Sequence, residues 1–128
     1  MEQETQSPIV LNRMGNVLVA TVQTALTSSV LARFHKDLLN RLAAERSPNL
    51  LLDLSGVSLM DVEEFDMLRT LARSAAIMGA ETWFVGFRPE VVSTLVSVGA
   101  ESGGLRAALD VDDALTQIQR RRKGAEHE

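Results

Sequence analysis

Asn49-Leu50-Leu51-Leu52-Asp53-Leu54-Ser55-Gly56 leads through Val57-Ser58-Leu59-Met60 into Asp61-Val62-Glu63-Glu64-Phe65, and this passage decides the fold. A short, nearly all-apolar run predicts a strand covered on both faces, the habit of parallel sheets. Ser55-Gly56 supplies a turn. Asp61 followed three residues later by Glu64 has capping-box spacing, with Asp in the place of the usual Ser or Thr. Phe65, Leu68, Leu71, Ala72 and Ala75 then recur at helical period and predict the buried stripe of a helix that Gly79 ends. Strand, turn and capped helix in that order predict an α/β unit.

The flanks repeat the pattern. Ile9-Val10-Leu11 and Val17 through Val22 read as two strands joined at Gly15-Asn16, a hairpin turn pair. Val30, Leu31, Phe34, Leu38 and Leu42 share one helical stripe, with Thr27 or Ser28 as N-cap and Pro48 as a stop. Thr82 through Phe87 is another strand. Pro89 opens a helix through Val92, Leu95 and Val96 to Gly99. After Ser102-Gly103-Gly104 comes a short apolar segment around Leu105. A last helix starts near Asp110 and turns Val111, Ala114, Leu115 and Ile118 inward. The order β-β-α-β-α-β-α-β-α predicts a mostly parallel central sheet with right-handed crossovers, helices packed on it and an N-terminal antiparallel hairpin.

Composition limits the chemistry. The 128 residues suit one domain, and an aromatic content of 4% makes the core aliphatic. With no cysteine there is no disulfide, thiolate zinc site or Cys nucleophile. A net charge of −4 opposes general nucleic-acid binding. Arg120-Arg121-Arg122-Lys123 is the exception, and a basic run there complements a helix C-terminus. The polar start has no signal-peptide pattern, and no apolar run nears the roughly 20 residues of a membrane span. These features predict a cytoplasmic chain without direct membrane insertion.

Catalytic signals are missing from the sequence. His35 and His127 have no metal-spaced partner and read as surface residues. No phosphate-cradling glycine loop or nucleophile elbow is present, and Ser102-Gly103-Gly104 reads as an ordinary loop. The cluster Asp61, Glu63, Glu64 and Asp66 fits the anion preference of a helix N-terminus better than a metal or acid–base site. The expectation is no catalytic residue, no metal and no cofactor.

Several ordered segments together resemble the STAS domains of anti-sigma factor antagonists and anion transporters. They are Leu51-Leu52-Asp53-Leu54-Ser55-Gly56-Val57, Met60-Asp61, Met78-Gly79-Ala80, Val85-Gly86-Phe87-Arg88-Pro89-Glu90-Val91, Thr94-Leu95, Val98-Gly99 and Leu109-Asp110. Phe34-His35-Lys36-Asp37-Leu38-Leu39 is similar to the first helix of RsbS-like stressosome scaffold proteins. The resemblance implies a STAS domain over residues 8–120, between a disordered tail (1–7) and a flexible basic and polar tail (121–128). It implies a non-enzymatic interaction module in partner-switching stress signalling. Its expected partners are RsbR-like STAS proteins and an RsbT-like switch kinase, with self-association into a dimer or larger assembly.

In that family the phosphoacceptor is a Ser directly after the Asp that opens the second helix, and Val62 stands here. A second acceptor position, before the Gly of the Gly-x-x-Pro turn, is Val85. Neither offers the nucleophilic oxygen that phosphoryl transfer needs. The expected partner-binding or switch-equivalent residues are thus Asp61, Val62, Glu63, Glu64, Val85 and Gly86. Either Glu63 and Glu64 imitate a phosphorylated first turn, or Val62 locks the unmodified, partner-binding state. Ser55, Ser58 and Thr70 remain as displaced acceptors. Alternative readings are a regulatory subunit of a membrane transporter and a sensor of a nucleotide or lipid.

Overall fold

A computed structural model describes residues 9–23, 26–99 and 106–126. Its elements are β1 (Ile9–Met14), β2 (Val17–Val22), α1 (Ser28–Glu45), β3 (Asn49–Asp53), α2 (Val62–Ile77), β4 (Glu81–Val85), α3 (Pro89–Ser97), β5 (Arg106–Ala108) and α4 (Val111–Glu126). The strands form one sheet in the order β1-β2-β3-β4-β5, with β1 antiparallel to β2 and all other pairs parallel. Gly15, at φ +64°, takes the first central position of the two-residue hairpin loop, a backbone setting that favours glycine.

Each parallel step moves the same way across the sheet, so right-handed crossovers put α1, α2 and α3 on one face. There Leu18, Ala20, Val22, Leu50, Leu52 and Phe84 meet Leu31, Phe34, Leu38, Phe65, Leu68, Leu71, Val91 and Leu95. α4 follows the last strand and returns over the other face. Its Ala114 and Ile118 pack on Val17, Val19, Leu51, Trp83 and Val85. Covering on both sides explains why Leu50, Leu51 and Leu52 are consecutive and all fully buried.

The local signals set the ends. Thr27 caps α1, its Oγ1 accepting the Val30 N–H at 3.3 Å. Two bonds close α2, from Ala80 N–H to the Ala75 carbonyl (2.9 Å) and from Gly79 N–H to the Ala76 carbonyl (3.0 Å).

Other expectations shift. α1 keeps the Ser28–Glu45 span that its apolar period predicts, but the residue that stops it is Arg46, in the left-handed conformation at φ 52°, two places before Pro48. β4 ends at Val85 instead of Phe87, because Gly86 turns to φ +75°. α3 buries Val91 and Leu95 and leaves Val92 and Val96 exposed. α4 runs through Arg120-Arg121-Arg122-Lys123 to Glu126, past the boundary at residue 120 and into the stretch expected to be a flexible tail. Arg121, bonded to Glu81 at 2.8 Å, holds that part of the helix to the sheet. The expected tail at residues 1–7, Ser102-Gly103-Gly104, Leu105 and His127 lie outside the described residues.

Candidate functional site

The C-terminal ends of β3 and β4 meet the start of α2. Leaving β3, the Asp53 carboxylate accepts the Ser55 backbone N–H at 3.1 Å and the Ser55 hydroxyl at 2.8 Å. Leu54 N–H donates to the Val85 carbonyl at 2.8 Å, and Val57 N–H to the Leu54 carbonyl at 2.9 Å. A Cβ on Gly56 would lie 2.5 Å from the Val22 carbonyl oxygen, so this turn presses directly on the end of β2. The chain then reaches Asp61 in extended conformation and enters α2.

The capping box forms in full. Asp61 Oδ1 accepts the Glu64 N–H at 2.8 Å, and Glu64 Oε1 accepts the Asp61 N–H at 3.0 Å. Both carboxylates are therefore committed to the backbone of the first turn. Glu63 is exposed, with no ion pair among the described residues. Of the two glutamates that could imitate a phosphate, only Glu63 presents an uncommitted charge. Val62, the first helical residue, is half-buried.

Gly86 fixes the neighbouring loop. A Cβ there would stand 3.0 Å from Asp53 Oδ1 and from the Ser55 N and Cβ, so the loop after β4 lies on the turn after β3. Its N–H donates to the Leu109 carbonyl at 3.2 Å, and Arg88 Nε donates to the Ser55 carbonyl at 2.9 Å. Phe87 packs against Phe84 and Phe65, with centroids 6.0 and 6.2 Å away, which ties this loop to the start of α2.

Val85 is placed differently from the rest of the expected set. It is fully buried against α4, and its side chain takes no part in the surface. Asp61, Val62, Glu63, Glu64 and Gly86 do gather at one end of the sheet. Leu59 and Leu109 are there too, 77% and 83% exposed, and neither is among the expected site residues. The available signal was an apolar residue in a loop, in step with neither flanking element.

His35 is half-buried, not a surface residue. Its Nε2 lies 3.0 Å from Ser74 Oγ, which itself donates to the Thr70 carbonyl, so the pair joins α1 to α2. Ser55, Ser58 and Thr70 are exposed. Among the described residues no group of three or more His, Asp or Glu is placed to hold a metal ion, and no helix is long and apolar enough to cross a membrane.

A five-stranded, mostly parallel sheet with three helices on one face, one on the other and a capped helix behind β3 defines an α/β domain of the STAS type. A sequence model of the STAS domain matches residues 8–114, and the chain belongs to that family. It is 24% identical over 121 residues to the RsbT co-antagonist protein RsbRA of Bacillus subtilis, covering 87% of this chain and 44% of that protein. The chain thus spans less than half of RsbRA. RsbS of Moorella thermoacetica, solved as a serine-to-glutamate variant, shares the fold with a TM-score of 0.77 at 20% identity, covering 91% of this chain and 99% of that one. The anti-sigma factor antagonist SpoIIAA, unphosphorylated, does so with a TM-score of 0.69 at 12% identity, covering 87% and 96%.

Proposed function

We propose that this chain is a cytoplasmic, non-enzymatic scaffold of a stressosome-type assembly in the manner of RsbS, binding RsbR-like STAS proteins and an RsbT-like kinase. The end of the sheet bearing Asp61, Val62, Glu63 and Gly86 is its partner surface, and the chain carries no acceptor at the switch position. The observation that carries this reading is Val62 itself. It occupies the first turn of α2, directly after the capping Asp61, and is an apolar, half-buried side chain. Likeness to RsbRA in sequence and to RsbS in fold supports the choice of partners.

A phosphate on that turn would add about −1.5 to −2 charge beside free helix N–H groups. Glu63 alone offers one uncommitted carboxylate, a poor substitute for a dianion. Val62 is thus better read as locking the unmodified, partner-binding state. Val85 is inert as well, since a residue sealed in the core presents nothing to a kinase.

The test is co-expression with an RsbR-like protein and an RsbT-like kinase, followed by light scattering and phosphate mapping. Co-assembly is expected, with no phosphate on the wild-type chain and phosphate at residue 62 in Val62→Ser. A chain that stays monomeric beside these partners, or wild-type phosphate on Ser58, overturns the reading.

A further inference from the structure

The flank of α4 is remote in kind from the partner surface just described. α4 is the only described helix on its face of the sheet, and beside it, towards the β1–β2 hairpin, runs an open groove of about 610 Å³. Met14, Val17, Leu115 and Ile118 give the groove an apolar floor, while Asp112 and Arg122 stand along its α4 wall. Met14 is nearly half exposed there.

The helix that forms this wall is polarised. Asp112 and Asp113 lie in its first turn, and Arg120, Arg121, Arg122 and Lys123 follow two turns later. The helix dipole accounts for the signs of these charges. It does not account for their disposition. Arg121 turns to Glu81, whereas neither Asp112 nor Arg122 has an ion pair among the described residues and both line the groove. Ten residues separate them, about 15 Å along the axis.

We infer that two copies of this chain pair through the α4 flank, with their α4 helices antiparallel about a two-fold axis near Gln117. In that arrangement Asp112 of each copy opposes Arg122 of the other, so one attraction occurs twice, as an isologous interface requires. A parallel arrangement sets like charge on like. A wall carrying both signs suits a self-complementary partner and not a polyanion. Met14 and Leu115 supply the apolar contact in the partner's groove. The inference gives the self-association expected of a stressosome-type scaffold its surface and rests on that reading of the function, yet its observations lie on α4 and not on Val62.

The test is sedimentation equilibrium on the isolated full chain at low and high salt. Expected is a dimer that weakens with salt, because the pairs are solvent-exposed. Asp112→Arg alone and Arg122→Asp alone each turn two attractions into two repulsions, and about a tenfold or greater rise in the dimer dissociation constant is expected for each. The double variant Asp112→Arg with Arg122→Asp restores the wild-type value, since the swapped charges again meet their opposites. Circular dichroism on every variant confirms that the fold is kept. A wild-type monomer at all concentrations overturns the inference. So does a dimer indifferent to the single reversals, or a double variant as weak as the singles. None of these outcomes bears on phosphate at residue 62.

Discussion

Replacing Asp61 by Ala separates what this residue does for the fold from what it does for a partner. The substitution removes the acceptor of the 2.8 Å bond from Glu64 N–H and leaves the reciprocal Glu64 side chain less well fixed on the Asp61 N–H. Losing an N-cap acceptor costs about 1 kcal/mol. Removing negative charge from a helix N-terminus costs about 0.3–1 kcal/mol more. The total is about 1.5 kcal/mol. Unfolding entropy near 2.1 cal/mol/K per residue gives a 128-residue chain about 0.27 kcal/mol/K. The expected fall in Tm is therefore about 5–6 °C. Asp61→Ser keeps a capping oxygen and loses only the charge, so its fall is about 1–4 °C.

Thermal unfolding followed by circular dichroism at low salt measures both variants. If Asp61→Ala melts with the wild type, or Asp61→Ser melts below Asp61→Ala, the capping account is wrong. Affinity for an RsbR-like partner, measured below both melting ranges, then isolates the interface. Asp61→Ser keeps wild-type affinity if the carboxylate only caps the helix, and loses it if the carboxylate reaches the partner.

Gly86→Ala forces a side chain into φ +75°, which costs about 1–2 kcal/mol for a non-glycine residue, and drives its Cβ to 3.0 Å from Asp53 Oδ1 and Ser55. Urea unfolding is expected to show a loss of about 2 kcal/mol or more, and an unchanged midpoint refutes the close packing of the two loops. Leu52→Ala, at a fully buried central position, is expected to lose about 2–5 kcal/mol in the same assay. Ile77→Ala, on the exposed end of α2, is expected to stay within about 0.5 kcal/mol of the wild type, and equal losses at the two sites refute the assigned core.

The parts of the fold legible in the sequence were those written in local chemistry. Three consecutive leucines required two covered faces, and Asp61 with Glu64 wrote a helix start that the structure reproduces bond for bond. Less legible were features set by distant partners. The basic run at Arg120 reads locally as a helix end followed by a tail, because Glu81, which holds Arg121, lies 40 residues earlier. Val85 and Gly86 adjoin in sequence and resemble the family together, yet strand alternation sends Val85 into the core under α4 while Gly86 lies on the turn after β3. His35 looked like a surface residue because the hydroxyl that partners it belongs to the next helix.

The strand order also bears on how this domain can bind. In open α/β sheets, small ligands favour a crevice at the point where strand order reverses. The order β1-β2-β3-β4-β5 has no such reversal, and α1, α2 and α3 all lie on one face. The gap between the ends of β3 and β4 is filled instead: Gly86 rests on Asp53 and Ser55, and Arg88 donates across to the Ser55 carbonyl. Leu59 and Leu109 stand exposed around this closed end, while the Asp61 and Glu64 carboxylates are turned inward to the helix backbone. This end therefore shows apolar projections beside the exposed carboxylate of Glu63, which has no ion pair among the described residues, a surface suited to the protein partner of the proposed function. Val62, in the first turn of α2, has no hydroxyl, so no phosphate ester can form at that position.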